Sequence, residues 1–465
     1  MLFSSYIFLF VFLPGFLLLY GLTPSRFRYL VLLAGSYLFY GFWRFDFLAL
    51  LIISTTINYA SGHFLPGIKS AHRRKLVLGT SVVANLGILG YFKYANFGVE
   101  NFNALIESFG LAPVHWTAVV LPIGISFFTF QAMSYTIDVY RGTISPTRNF
   151  PMFAAYVAMF PQLVAGPIVR YSQVQDQFIT PRKLTEGFGA GVLLFMIGFN
   201  KKVLFADQFG VIADQLFDLH QMGMINAWIG AFSYSFQIYF DFSGYSDMAL
   251  GLGLMLGFKF PENFNSPYRA RSISDFWRRW HMTLSLWFRD YVYIPLGGNR
   301  TSRKWRTYFN LMTTMLLTGI WHGAQWTFIL WGLFHAAFLM IERRYDRLLP
   351  LVRRAPAAFQ VGITFVIVTL GWVLFRSSDI EIAFGVYREM FNFNSLSIGV
   401  GPDARQPLFL ALAGCAIAVT FIFKNSNTYI NSRGQLIQIV QLGLFLLACH
   451  ELFARSYSPF LYFQF

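Results

Sequence analysis

Apolar runs of about twenty residues recur along this chain, and short loops between them hold most of its charges. Hydrophobic residues make up 56% of the 465 residues and charged residues only 12%, about half the charged fraction of a soluble domain. So few charges could not cover the surface of a soluble protein of this size, whereas a lipid bilayer solvates apolar runs directly. The composition therefore predicts a polytopic membrane protein.

The apolar runs continue from one end of the chain to the other. No hydrophilic domain, low-complexity linker or internal repeat interrupts them, so residues 1–465 are predicted to form a single all-α membrane domain. Two further apolar stretches, 150–168 and 307–341, are less regular than the rest. The candidate spans are 2–21, 27–43, 46–61, 76–94, 115–138, 184–203, 228–257, 357–376, 407–423 and 435–453.

A net charge of +15 is common in proteins that bind nucleic acid, but the positions of the charges exclude that class. The arginines and lysines lie in short loops between apolar runs, where they orient a membrane protein by remaining in the cytoplasm. The loop 69–75 and the stretches 269–306 and 343–354 are the most basic, and they are predicted to lie inside. The loop 95–113 contains two glutamates and no arginine or lysine, so it is predicted to lie outside.

This orientation makes both termini periplasmic, although Lys201 and Lys202 then fall at an outer end and count against it. Because 269–306 and 343–354 both lie inside, the stretch 307–341 cannot cross once. It is predicted to enter and return as two short half-spans that meet near Gly319 to Gly323. The same argument makes 150–168 a re-entrant segment.

His322 is the first candidate catalytic residue. Asn310, Thr314, Thr318 and His322 are spaced four apart and form one polar stripe on an otherwise apolar helix, which should face a wet cavity rather than lipid. A neutral histidine at membrane depth is suited to act as a general base. Ionisable groups are rare at that depth, and those that occur there usually have a functional role. The alternative is a buried histidine bonded to a backbone carbonyl.

A second candidate site lies in the stretch 269–306, which holds eight Arg and one Lys against Asp275 and Asp290. Within it, 274–289 is predicted to be one interfacial helix, capped by Ser274. Its buried face would carry Phe276, Trp280, Leu284 and Trp287, and its opposite face Arg278, His281, Ser285 and Arg289. The arginines fit an anion site, although orientation and binding of anionic lipid explain them equally well.

Two carboxylates, Asp241 and Asp247, lie inside an apolar run. They should face the protein interior. If their role is structural only, they are expected to pair there with arginines of 269–279. No His, Cys and carboxylate cluster has ligand spacing, so no metal site is predicted. The sequence also lacks a phosphate-binding Gly-Lys-Ser/Thr loop and a Gly-x-Ser-x-Gly turn.

These residues together resemble the membrane-bound O-acyltransferase family, and within it the bacterial polysaccharide acetylases. The resemblance covers most of the chain in order. The runs that carry it are Gly90–Gly98, Leu121–Ser126, Tyr239–Asp247, Glu262–Asn265, Phe276–His281 and Trp321–Gly323.

The resemblance implies about eleven crossings, with re-entrant and interfacial helices around a buried funnel. It implies that His322 is the catalytic histidine and that His281 flanks the acyl-donor path. Asn310, Thr318, Trp321, Asp241 and Asp247 would support the catalytic cavity, and Arg278, Arg289, Trp277 and Ser285 would bind the donor.

The implied reaction moves an acetyl group from a cytosolic donor, acetyl-CoA, across a bacterial inner membrane. The acceptor would be a periplasmic acetylase partner or the exopolysaccharide, with alginate first and cellulose second. The expected partners are membrane lipids, the donor and the periplasmic acetylase, with no tightly bound cofactor and no nucleic acid. Two other classes stay open: a proton-coupled secondary transporter that uses His322 and Asp241, and a non-catalytic scaffold of an exopolysaccharide complex.

Overall fold

The computed structural model describes residues 1–180, 183–219, 222–300, 303–345, 355–395, 407–423, 425–429, 434–454 and 461. Throughout these residues the backbone forms helices and the connections between them, with no strand. A helix satisfies its backbone hydrogen bonds within one segment, which is what a chain without water around it requires. The predicted all-α fold is confirmed.

The helices are numbered here in chain order. The first ten are α1 (Leu13–Leu22), α2 (Arg28–Gly41), α3 (Leu48–Phe64), α4 (Ala71–Ser108), α5 (Ile125–Arg141), α6 (Phe150–Ala158), α7 (Phe160–Leu163), α8 (Tyr171–Ile179), α9 (Phe188–Asn200) and α10 (Asp207–Phe217). The next ten are α11 (Met224–Met255), α12 (Ile273–Trp277), α13 (Met282–Phe288), α14 (Lys304–His322), α15 (Trp326–Tyr345), α16 (Ala357–Arg376), α17 (Ile380–Met390), α18 (Pro407–Phe421), α19 (Ser426–Tyr429) and α20 (Gln435–Ala454). A π-helical turn, Ile7–Phe12, leads into α1, and another, Lys201–Ala206, joins α9 to α10.

Every predicted span overlaps one of these helices. Within the described residues, five helical segments are long and apolar enough to cross a membrane, and these are Leu48–Gly67, Ala71–Ser108, Phe188–Phe217, Ala357–Arg376 and Gln435–Ala454. The expected eleven crossings and the funnel stay predictions. Three arginines of the basic loop 343–354, Arg347, Arg353 and Arg354, lie outside the described residues, as does the C-terminal residue.

The chain divides into two compact units. Unit 1 comprises Met1–Val192 with Ala249–Pro261, and unit 2 comprises Leu193–Met248 with Glu262–Phe465. In unit 1, the first helices pack around Phe160, whose ring centroid lies 5.2–6.2 Å from four other phenylalanine rings. In unit 2, a core of buried aromatic residues includes Trp280, Trp331 and Trp372, each at most 2% exposed. The candidate catalytic histidines lie in unit 2.

The outer loop predicted at 95–113 is wrong in its first part. Helix α4 runs unbroken for 38 residues to Ser108, so Glu100 and Glu107 lie on a helix. The segment contains no proline, and the helix stops just before Gly110, which has a φ of 74°. Glycine tolerates that left-handed conformation, and the helix end is set by it rather than by the first charged residue.

The stretch 150–168 is a broken helix, as its prolines predict. Helix α6 ends before Met159, and α7 begins with Phe160 and Pro161 in its first turn, where a proline is tolerated. The backbone from Phe153 to Val169 is buried within unit 1. Enclosure by protein is the condition under which irregular backbone is stable at membrane depth.

The stretch 307–341 does turn back on itself, as predicted, but not as two half-spans. Helices α14 and α15 contain 19 and 20 residues and form an antiparallel hairpin, with the turn at 323–325. At 1.5 Å per residue each helix is about 30 Å long, the thickness of a hydrocarbon core. The helices are longer than predicted because Gly319 does not end α14. It packs against α15 instead.

Two glycines set the spacing of this hairpin. A Cβ atom at Gly319 would overlap the carbonyl oxygen of Phe328, and one at Gly332 would lie 2.5 Å from the carbonyl oxygen of Met315. The helices therefore touch backbone to backbone one turn before His322. Small residues permit such close approach in membrane helix pairs.

Replacing Gly319 with Ala should force α14 and α15 apart. We expect a loss of about 1–3 kcal/mol of stability, as for an overpacked core, seen as a lower melting temperature of the purified protein in detergent. Gly362 on α16 is the matched control, since a Cβ atom added there would have no other atom within 4 Å. Gly362→Ala should leave the melting temperature unchanged or raise it, because alanine favours a helix by up to about 1 kcal/mol. Equal effects of the two substitutions would contradict this account of the hairpin.

Candidate active site

His322 is the last residue of α14 and lies where the hairpin turns. The polar stripe that ends in His322 faces the interior of unit 2, since Asn310, Thr318 and His322 are 2–4% exposed. The stripe arises because four-residue spacing keeps side chains on one face of a helix, and the opposite face carries exposed apolar residues such as Phe309 and Met312. His322 is thus a buried ionisable group at the end of a long helix.

Three aromatic rings surround the imidazole of His322. The ring centroids of Trp321, Trp331 and Phe375 lie 4.9, 5.0 and 5.0 Å from it, each in an edge-to-face arrangement. Trp331 belongs to α15 and Phe375 to α16, so three helices position the histidine. Rings of this size keep water away, and a proton transfer or a developing charge is more strongly influenced by its neighbours in such surroundings.

His281 is the second predicted histidine, and the chain breaks there. The predicted single helix 274–289 is wrong: α12 ends at Trp277, α13 begins at Met282, and His281 between them has a φ of 43°. The N-cap is Ser272 rather than Ser274, whose hydroxyl instead donates to the Glu342 carboxylate of α15. Four apolar residues expected on one buried face are nevertheless buried, namely Phe276, Trp280, Leu284 and Trp287.

The break at His281 is held by Asn263. The side-chain oxygen of Asn263 accepts hydrogen bonds from the backbone N–H and the hydroxyl of Thr283, and it lies 3.0 Å from Nδ1 of His281. The side-chain N–H of Asn263 donates to Ser246, and its backbone oxygen accepts from Met282. This small network fixes a left-handed residue that would otherwise cost about 1–3 kcal/mol.

The same network sets the chemical state of His281. Because the Asn263 oxygen already accepts from Thr283, the Nδ1 atom facing it is the protonated nitrogen, and the lone pair of the neutral ring lies on Nε2. His281 is fully buried, and the loss of hydration lowers its pKa to about 3. His281 is therefore neutral at physiological pH.

Trp321 joins the two histidines. Its ring centroid lies 4.9 Å from that of His322 and 6.1 Å from that of His281. Phe242 of α11 packs on the other side of His281 at 4.6 Å. The structure thus brings His281, Trp321 and His322 into one buried cluster.

Other predicted cavity residues lie apart from this cluster or are engaged elsewhere. Asn310 lies twelve residues before His322, about 18 Å along the helix axis, and donates to the backbone oxygen of Gly298. The hydroxyl of Thr318 donates to the backbone oxygen of Thr314. Of the polar stripe, Thr318 alone lies within one turn of His322.

Asp241 and Asp247 pair with lysines, so the expected pairing with arginines of 269–279 is wrong. Nζ of Lys202 lies 2.6 Å from Asp241 and 2.8 Å from Asp207, and Nζ of Lys201 lies 2.7 Å from Asp247. These lysines lie in the π-helical turn between α9 and α10, which places both side chains against α11. Lys201 and Lys202 are therefore buried ion-pair partners rather than orientation signals.

The predicted donor-binding residues fall into two groups. Arg278 and Arg289 are exposed, and Nε of Arg289 lies 2.7 Å from the adjacent Asp290 carboxylate. Ser285 donates to the backbone oxygen of Trp280. The Trp277 ring packs inward against Trp331 and His335, at 5.6 and 5.2 Å between centroids.

Sequence reasoning missed His335 and Trp331. His335 is fully buried on α15, and its ring centroid lies 5.0 Å from that of Trp331, which also touches His322. Among the described residues, neither ring nitrogen of His335 and neither indole N–H of Trp277 and Trp331 has a hydrogen-bond partner. The signal that singled out His322, an ionisable residue within an apolar run, applies equally to His335. No group of three or more potential metal ligands occurs in the described part of the chain.

Comparison with known proteins identifies the family of the chain. Residues 114–379, which include both predicted histidines, match the membrane-bound O-acyltransferase family. The chain is 46% identical to the probable alginate O-acetylase AlgI of Azotobacter vinelandii, with all of both chains covered. It is 36% identical to the peptidoglycan O-acetyltransferase of Helicobacter pylori, over all of this chain and 98% of the relative.

A more distant relative has the same type of activity. The teichoic acid D-alanyltransferase of Bacillus subtilis is 29% identical over 54% of this chain and 67% of its own length. The names of the three relatives describe the transfer of an acyl group to alginate, to peptidoglycan or to teichoic acid. With its helical fold and apolar spans, the chain is a membrane acyltransferase and belongs to the membrane-bound O-acyltransferase family.

Proposed function

We propose that this protein transfers an acetyl group from a cytosolic thioester, acetyl-CoA, to an acceptor that serves an exopolysaccharide on the periplasmic side of a bacterial inner membrane. Alginate is the first candidate polymer and cellulose the second. The immediate acceptor would be a periplasmic acetylase that passes the group on. The observation that carries the proposal is His322, a buried histidine enclosed by three aromatic rings at the turn of the hairpin.

The names of the relatives support the class of acyl group and acceptor. Two relatives that align along the whole chain are named as O-acetyl transferring enzymes, one of alginate and one of peptidoglycan. The higher identity to the alginate relative favours an exported polysaccharide as the end product. The exposed arginines of 269–306 carry planar guanidinium groups that form bidentate hydrogen bonds with phosphates. A donor that contains a nucleotide would present such phosphates.

In the proposed reaction, His322 acts as general base. The ring takes the proton from the acceptor hydroxyl as its oxygen attacks the thioester carbonyl, and a C–O bond forms. The tetrahedral intermediate then collapses with loss of the C–S bond, and the histidine returns the proton to the leaving thiolate. The products are the acetyl ester and the free thiol, and the histidine is regenerated.

Replacing His322 with Gln should lower the rate of acetyl transfer by about 10²–10⁴-fold, because glutamine keeps the size and hydrogen bonding but takes no proton at neutral pH. The assay follows radiolabelled acetyl from acetyl-CoA to candidate acceptor proteins or polymer, with purified protein in lipid. Membrane insertion and melting temperature should be nearly unchanged. His322→Ala should behave in the same way.

His281→Gln is the comparison variant in the same assay. If His322→Gln retains most of the activity while His281→Gln does not, the base is assigned to the wrong histidine. If neither substitution affects acetyl incorporation, neither histidine is the general base. Uptake of substrate by vesicles without acetyl transfer would favour the transporter.

The paired substitution of Arg278 and Arg289 by Gln should raise the KM for the donor by about tenfold or more, the loss expected for charge-assisted hydrogen bonds. The effect should be larger at low salt, where screening is weakest. Arg388→Gln is the control, since Arg388 is also exposed and lies beside an acidic neighbour, Glu389, at 3.7 Å. An unchanged KM in the paired variant would assign these arginines to orientation or lipid binding.

Alkaline phosphatase fused after Phe465 should be active, because the loop charges predict a periplasmic C-terminus. The same reporter inserted beside Lys69 should be inactive, while a cytosolic fluorescent reporter there should be active. The reverse pattern would overturn the proposed direction of acetyl transfer. It would leave the acyltransferase class untouched.

A further inference from the structure

Unit 1 contains a cavity of about 350 Å³ that the acyl-transfer site does not use. It lies at the ends of three helices, α1, α8 and α11, and beside the turn 23–28 that leads into α2. Its polar lining consists of two guanidinium groups, three hydroxyls and one amide, with no carboxylate. These residues are Arg26, Arg28, Ser25, Tyr20, Tyr29 and Gln177.

The positive charge of this cavity is not neutralised by the protein. Neither Arg26 nor Arg28 forms an ion pair with a carboxylate in the described part of the chain, and the hydroxyls of Ser25 and Tyr29 have no hydrogen-bond partner there. Helix α2 begins beside them, so the positive end of its dipole also lies near the cavity. Two cations, two hydroxyls and a helix N-terminus suit a phosphate group.

Arg28 is held in place before any ligand arrives. Its Nε donates to the backbone oxygen of Thr23, and its guanidinium carbon lies 5.6 Å from the centre of the Tyr20 ring. Tyr20 is itself 4% exposed and donates its hydroxyl proton to the backbone oxygen of Leu256. A binding group fixed by its neighbours loses little entropy when a ligand binds.

The surface near the cavity is apolar. Leu22, Phe27 and Ile179 are 75, 44 and 70% exposed, and Leu30 is 40% exposed. Exposed apolar side chains beside basic groups are the pattern of a site at the boundary between lipid headgroups and acyl chains. A free phosphate or a soluble nucleotide would make no contact with these side chains.

We propose that this cavity binds the phosphate of an anionic phospholipid, whose acyl chains lie along Leu22, Phe27, Leu30 and Ile179. Phosphatidylglycerol is the probe of this chemistry, with a single phosphodiester and a small hydroxylated headgroup. Arg26 and Arg28 hold the phosphate, and Ser25 and Tyr29 donate hydrogen bonds to the phosphate or the glycerol. The site is independent of the acetyl donor and of His322.

The test is native mass spectrometry of the full-length protein, delipidated in detergent and titrated with phosphatidylglycerol or phosphatidylcholine. We expect tighter binding of phosphatidylglycerol, and a loss of about tenfold or more in its affinity in the Arg26→Gln/Arg28→Gln variant. Because Arg28 also packs on Tyr20, the single variant Arg26→Gln is measured alongside. It should lose part of the affinity without a change in melting temperature.

The control removes the same charge from the predicted cytoplasmic loop 69–75, away from the cavity lining. Arg73 and Lys75 are exposed and line no part of this cavity, so Arg73→Gln/Lys75→Gln should bind phosphatidylglycerol as the unmodified protein does. An equal loss in this control, or no preference for phosphatidylglycerol over phosphatidylcholine, would overturn the site. Displacement of the lipid by equimolar glycerol 3-phosphate or coenzyme A would show a soluble-anion site and would equally overturn the proposal.

Discussion

A polar group removed from water costs several kcal/mol unless another group of the protein satisfies it, and this cost governs the interior of unit 2. Lys202 shows the rule most directly, since it is 2% exposed and lies between the carboxylates of Asp207 and Asp241. Asn263 shows it for uncharged groups, because its side chain and backbone together bond four different residues. Both networks tie loops and interrupted helices to α11, and the histidine cluster is positioned against the same helix through Phe242.

Much of the helical fold could be predicted from the sequence, because each helix of a membrane protein is determined mainly by the residues of its own segment. A run of twenty apolar residues has one stable backbone in lipid, so the existence of the predicted spans did not depend on the rest of the structure. The exact ends of the helices depended on single residues. The end of α4 is set by Gly110 rather than by the glutamates before it, and α14 continues through Gly319 because that glycine meets a neighbouring helix.

The candidate site was less predictable, since it depends on which segments meet. Four-residue spacing identified the buried stripe that ends at His322, but not that Asn310 would lie about 18 Å away along it. Helical periodicity placed His281 on the exposed face of a continuous helix, whereas a left-handed residue breaks that helix and buries the ring. The signal was present in Asn263, but a single asparagine is informative only once its partners are known. The sequence alone could not show that lysines rather than arginines pair with Asp241 and Asp247. The lysines are positioned by a π-helical turn, which no pattern in the sequence indicated.

The contact between Gly319 and the backbone of α15 has a consequence for the routes that substrates take. With the two helices touching through backbone atoms at Phe328 and Gly332, no gap remains between them one turn from His322. No substrate group can pass between the two helices at that level. The hairpin is therefore closed beside His322, and any group that reaches the imidazole must approach it from outside this pair of helices.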